Sequence, residues 1–68
     1  MIVTKEHVGK RFWTRGGRRG VVEFVCKPYS TDYPVVVLIE DEETETLRAD
    51  GSLFGDGRTS LLDIVEWE

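Results

Sequence analysis

The sequence predicts an all-β domain, either a small barrel or a strongly bent antiparallel sheet of five to six short strands. Three observations carry this. Turn signals recur about every 8 to 12 residues. Runs rich in β-branched residues, such as Val21-Val22 and Val35-Val36-Val37, lie between them. Seven glycines mark tight turns rather than helices. Sixty-eight residues make one small domain, residues 1–68, and a chain of that size buries only about 60% of the surface its unfolded form exposes. That excludes a two-domain enzyme with an interdomain cleft and a doubly wound nucleotide-binding fold. Hydrophobic residues at 40% and charged residues at 32% place the chain among globular rather than disordered sequences.

Each element follows from its residues. Val3 to His7 is a short lead-in. Phe12-Trp13-Thr14 is a first strand, and Arg15-Gly16-Gly17-Arg18 is a hairpin turn in which Gly-Gly supplies positive φ values. Gly20 to Cys26 is a second strand, and strict alternation puts Val22, Phe24 and Cys26 on one face and Val21, Glu23 and Val25 on the other. Lys27 to Pro34 is a polar loop. Val35 to Glu40 is the strongest strand, its continuous apolar run predicting burial on both faces. Asp41-Glu42-Glu43 turns the chain into Thr44–Ala49, which pairs back with Leu47 and Ala49 on one side. Asp50-Gly51 is a turn, Ser52-Leu53-Phe54 a short strand or edge segment, and Gly55 to Arg58 another turn. Ser60 to Asp63 is a single helical turn before a last strand, Ile64 to Trp67. The expected core is drawn from Phe12, Trp13, Val22, Phe24, Val36, Leu38, Leu47, Leu53, Phe54, Leu62, Ile64 and Trp67.

The single Cys26 forms no internal disulfide, which favours a reducing compartment. The longest apolar run, Val35 to Ile39, is far shorter than the roughly 20 residues a membrane helix needs. The expectation is a soluble, cytoplasmic protein with no membrane contact. Zinc requires about four Cys or His ligands, and the chain has only Cys26 and His7. No cofactor or metal is expected. No serine stands in a nucleophile-elbow pattern, and His7 has no nucleophile beside it in sequence, so no enzymatic activity is expected.

The charge is lopsided. Residues 1–27 hold seven of the nine basic residues against Glu6 and Glu23, while residues 28–68 hold Arg48 and Arg58 against eleven acids. The asymmetry concentrates in two turns. Arg15, Arg18 and Arg19 form a basic tip beside Trp13, a combination able to follow phosphates and stack on a base. Glu40 to Glu45 form an acidic tip that either keeps an edge soluble or meets a basic partner. Tyr29 and Tyr33 flank the polar loop and offer rigid amphipathic contact surface.

Two stretches resemble known proteins. Val8-Gly9-Lys10-Arg11-Phe12-Trp13 followed by Gly16-Gly17-Arg18-Arg19-Gly20-Val21-Val22 is similar to the opening of SH3-like barrels, including KOW-type and Tudor-like modules. Tyr33-Pro34-Val35-Val36-Val37, then Asp50-Gly51, then Leu62-Asp63-Ile64-Val65-Glu66 resembles a set of small phage- and prophage-encoded proteins of uncharacterised function. The resemblance implies a bacteriophage accessory protein with a small β fold, in the bacterial host cytoplasm, and brings no functional residues with it. The expected function is a non-enzymatic binding module for a protein partner, with Arg15, Arg18 and Arg19 as one contact patch and Glu42, Glu43 and Glu45 as the other. Nucleic-acid binding through the hairpin at 15–20 and self-association into a homo-oligomer are the alternatives. Whether the two charged tips lie together or apart decides between one neutralised end and two faces of opposite sign.

Overall fold

In the computed structural model, which describes residues 1–27 and 31–68, the chain forms one five-stranded antiparallel sheet. The strands are β1 (Arg11–Thr14), β2 (Arg19–Val25), β3 (Val35–Ile39), β4 (Glu43–Leu47) and β5 (Ile64–Trp67), in the spatial order β4-β3-β2-β1-β5. A 3₁₀ turn at Lys5–His7 precedes them, capped by Thr4. The sheet is open, because β4 and β5 form its two edges and do not pair with each other. The all-β architecture expected, a small barrel or a strongly bent antiparallel sheet, is consistent with this arrangement.

One face of this sheet is buried although no helix layer covers it among the described residues. Phe12, Val22, Val35, Val37, Ile39, Leu47 and Ile64, drawn from all five strands, join Val3 in a single cluster. A flat sheet leaves its face open to water, so these strands have to curl over their own inner side. Two β-bulges contribute the bend, since a bulge adds local twist to a strand. In β2 the register jumps between Val22, opposite Val37, and Phe24, opposite Val36, leaving Glu23 as the extra residue. In β5 it jumps between Glu66, opposite Trp13, and Ile64, opposite Thr14, leaving Val65 extra.

The bulges correct the faces expected from strict alternation. Val22 and Val25, three apart, both turn toward the core, while Val21 and Phe24 turn outward, and Phe24 is 58% exposed. Likewise Ile64 and Trp67, three apart, lie on the same inner side. In β3 the buried residues are Val35, Val37 and Ile39, so the expected core members Val36 and Leu38 lie half-buried on the outer face. Their apolar run is buried on one face rather than two. Trp13 is also on the outside, and Phe54 is half-buried with the Arg58 guanidinium 4.5 Å from its ring centre.

The tightest packing is around Phe12. Gly20 lies directly opposite it across the β1–β2 ladder, and a Cβ at Gly20 would stand 2.5 Å from the Phe12 ring and 2.9 Å from the Ile39 methyl. Trp67 meets Phe12 edge-on at 6.1 Å, and His7 stacks on Trp67 at 4.5 Å. His7 Nδ1 also accepts the Thr4 backbone N–H at 2.9 Å, so the ring that stacks on Trp67 and ties the lead-in to the sheet is fixed from its own side.

The β1–β2 turn keeps its residues, but only Gly17 has a positive φ, at 81°. Gly16 serves a different need, letting the tip approach Leu61, whose carbonyl accepts its N–H at 3.0 Å. The β3–β4 turn centres one residue earlier than expected. Glu40 and Asp41 both have positive φ, and Glu42 N–H returns to the Ile39 carbonyl at 3.1 Å, a type I′ arrangement.

The segment 48–63 is irregular, and the expected strand at Ser52–Phe54 does not form. The Asp63 carboxylate, on a residue only 4% exposed, takes the backbone donors instead. Its Oδ1 accepts Leu53 N–H at 3.0 Å, and its Oδ2 accepts Ser60 N–H at 2.9 Å and both Nε and Nη2 of Arg15 at 3.4 Å. The Asp63 carbonyl also accepts Arg15 N–H at 2.8 Å, and its own N–H closes an i to i+3 turn on the Ser60 carbonyl, where a helical turn was expected. Asp50 anchors the neighbouring bend by accepting the Ser52 hydroxyl and N–H, which together hold its carboxyl below the ordinary aspartate range.

Three substitutions test these constraints. Gly20→Ala forces Phe12 and Ile39 apart and is expected to cost about 2–3 kcal/mol, read from urea denaturation, as overpacked cores do. Asp63→Ala strands the Leu53 and Ser60 amides without an acceptor and is expected to cost about 3 kcal/mol. Asp63→Asn, which keeps the shape and one oxygen acceptor, should fall between wild type and Asp63→Ala in the same measurement.

Candidate functional site

The strand order brings the two charged turns to one end of the sheet, because Gly20 at the start of β2 pairs with Ile39 at the end of β3. The result is neutralisation rather than two faces of opposite sign. Arg18 Nη2 reaches Glu40 Oε2 and Glu43 Oε1, each at 3.3 Å. Hydrogen bonds to Glu40 first, then Glu43, raise the Arg18 pKa above its already high ordinary value. Arg19 Nε pairs with Glu68 Oε2 at 3.0 Å, and Arg15 with the buried Asp63. Each arginine of the hairpin thus has a carboxylate partner. Surface pairs of this kind contribute little to stability, but they remove the bare cationic tip that the sequence suggests.

The remaining predicted residues are dispersed. Glu42 stands exposed in the turn, and Glu45 is half-buried on the edge strand β4. Neither has an ion-pair partner among the described residues. Tyr33 is exposed beside β3, with its N–H on Thr31 Oγ1 at 3.2 Å. Tyr29 lies outside the described residues.

What sequence reasoning missed is the outer face of the sheet. Val21 pairs with Leu38, Phe24 pairs with Val36, and Val36 and Leu38 are two apart on one strand, so the four side chains are contiguous. On the next strand Arg11 is directly opposite Val21, and Trp13, diagonal to it, is 38% exposed. The Arg19 guanidinium lies 5.0 Å from the Trp13 ring centre, a cation–π contact that holds the indole in place. Thr44 and Thr46 border the patch on β4, opposite Leu38 and Val36. Arg11 has no ion-pair partner among the described residues. The residue types were all visible, but only the bulge at Glu23 puts Val21 and Phe24 on the same side.

Among the described residues, no group of three or more His, Cys, Asp and Glu side chains is placed to hold a metal ion, and the His7 ring nitrogen Nδ1 is taken by the Thr4 cap. No helix among the described residues is long and apolar enough to cross a membrane. Fold and surface together define a small all-β, single-sheet protein with an uncovered apolar face. No protein-family model, curated protein or solved structure matches the chain.

If the outer face is free surface, its side chains contribute little to folding. Phe24→Ser is expected to change stability by less than about 1 kcal/mol, whereas Phe12→Ala at the buried centre is expected to cost about 3–5 kcal/mol. Parallel urea titrations check both.

Proposed function

We propose that this chain is a non-enzymatic binding module that docks a protein partner on the outer face of its sheet, and that it serves as a phage or prophage accessory protein in the host cytoplasm. The observation that carries the docking reading is the contiguous set Val21, Phe24, Val36 and Leu38, extended by Trp13 and flanked by Arg11. Contiguous exposed apolar surface on a small soluble domain marks interaction sites, and Trp and Arg are the side chains that most often dominate binding energy at such sites. The partner's complementary surface is apolar, with a carboxylate placed to meet Arg11. The accessory role rests on the resemblance of Tyr33 to Val37, Asp50-Gly51 and Leu62 to Glu66 to small phage-encoded proteins.

Protein is preferred to nucleic acid because Arg15, Arg18 and Arg19 are each held by a carboxylate. Phosphate binding there would have to break those pairs. Immobilised protein exposed to bacterial host lysate provides the test, with captured proteins identified by mass spectrometry. The expected result is a partner retained by wild type and by an Arg18→Gln/Glu42→Gln variant but lost by Phe24→Ser/Leu38→Ser. A partner set unchanged by the outer-face variant removes this reading. Nuclease-sensitive capture would favour nucleic acid instead, and a dimer lost in Phe24→Ser/Leu38→Ser by sedimentation would favour self-association.

A further inference from the structure

A second surface lies at the far end of β2 from the arginine hairpin. There a cleft of about 1010 Å³ opens between the lead-in segment and the residues that follow β2. Its two sides are fixed by backbone hydrogen bonds. Val3 N–H to the Ala49 carbonyl at 2.8 Å holds the lead-in, and Cys26 N–H to the Pro34 carbonyl at 2.7 Å holds the other wall. The lining is largely apolar, from Ile2, Val25 and Pro34, with Lys5 and Arg48 among its charged members. Arg48 is braced against the Gly55 backbone, where a Cβ would stand 2.7 Å from its Nη1.

Size and charge together narrow the occupant. The volume lies at the upper end of the range of about 300–1,000 Å³ usual for small-molecule clefts. Lys5, Lys27 and Arg48 line it against one carboxylate, Asp32, in a chain whose net charge is −4. The cleft thus reverses the sign of the molecule that carries it. An apolar lining with a surplus of cations complements a ligand with an apolar body and an anionic head. We infer that this cleft binds a small amphipathic anion, with the apolar body on Ile2, Val25 and Pro34 and the anionic head on Lys5 and Arg48. This site is separate from the outer face and does not depend on the docking reading.

Cys26 provides the readout, since it is the chain's single cysteine, is half-buried and lines the cleft. Its alkylation by iodoacetamide, followed by intact mass, is measured alone and with decanoate or decyltrimethylammonium, two probes with the same tail and opposite heads, below micelle-forming concentrations. Decanoate is expected to slow alkylation about fivefold when present at roughly four times its dissociation constant, and decyltrimethylammonium to leave the rate unchanged. The Lys5→Gln/Arg48→Gln variant, checked for an intact fold by urea denaturation and scored against its own ligand-free alkylation rate, should lose the protection. Phe24→Ser should keep the protection and the wild-type ligand-free rate. Protection by neither probe, equal protection by both, or decanoate protection that survives in Lys5→Gln/Arg48→Gln overturns the inference.

Discussion

A single sheet with no second layer among the described residues has to cover its own hydrophobic face, and most of this structure follows from that requirement. Burial of apolar side chains is the main favourable term in folding, and a chain of sixty-eight residues has few of them. The bulges at Glu23 and Val65 contribute by bending the sheet and by turning extra side chains inward. Gly20 contributes by leaving no side chain of its own, so that the Phe12 ring packs directly on the β2 backbone. The lead-in contributes Val3, locked to the loop after β4 through Ala49. The inner face that results is buried, and Val21, Phe24, Val36 and Leu38 are turned to the outer side.

The long connection between β4 and β5 is organised by a different interaction. A buried carboxylate is tolerated when its oxygens are taken by donors, and Asp63 has amides from two loop positions and the Arg15 side chain. One side chain thereby sets the path of a segment without regular structure and pins it to the tip of the β1–β2 hairpin. No buried side-chain nitrogen or oxygen lacks a partner among the described residues. The polar interior is satisfied through this hub rather than through a ladder.

Fold class and strand positions were legible in the sequence because hydrophobic runs and glycine turns are local signals. The last strand, Ile64–Trp67, matches the expected boundaries, and β1 to β4 match to within one or two residues. What alternation did not reveal was which face each residue occupies. A bulge shifts the period by one residue for no cost visible in composition, so Phe24 was expected inside and stands outside, while Val25 does the reverse. In β3 the run Val35 to Ile39 fits either parity, and the choice is made by its neighbours. Ser52–Phe54 looked like a strand because its residues permit one, but a carboxylate ten residues away in sequence claims the Leu53 amide. The candidate site suffered from the same gap. The basic and acidic turns were evident as residues, but their mutual pairing depends on strand order, and the outer apolar face depends on the bulge.

The edges of the sheet carry a consequence of their own. An open sheet has two edge strands, where another strand can add, although on β5 the Ile64 N–H already donates to the Gly51 carbonyl at 2.9 Å. β4 carries Glu43 and Glu45, and β5 carries Glu66 with Glu68 just beyond it. Glu43 and Glu68 are paired with Arg18 and Arg19, whereas Glu45 and Glu66 have no ion-pair partner among the described residues. Two copies meeting edge to edge through these strands therefore bring unpaired carboxylates together, which opposes strand-to-strand growth.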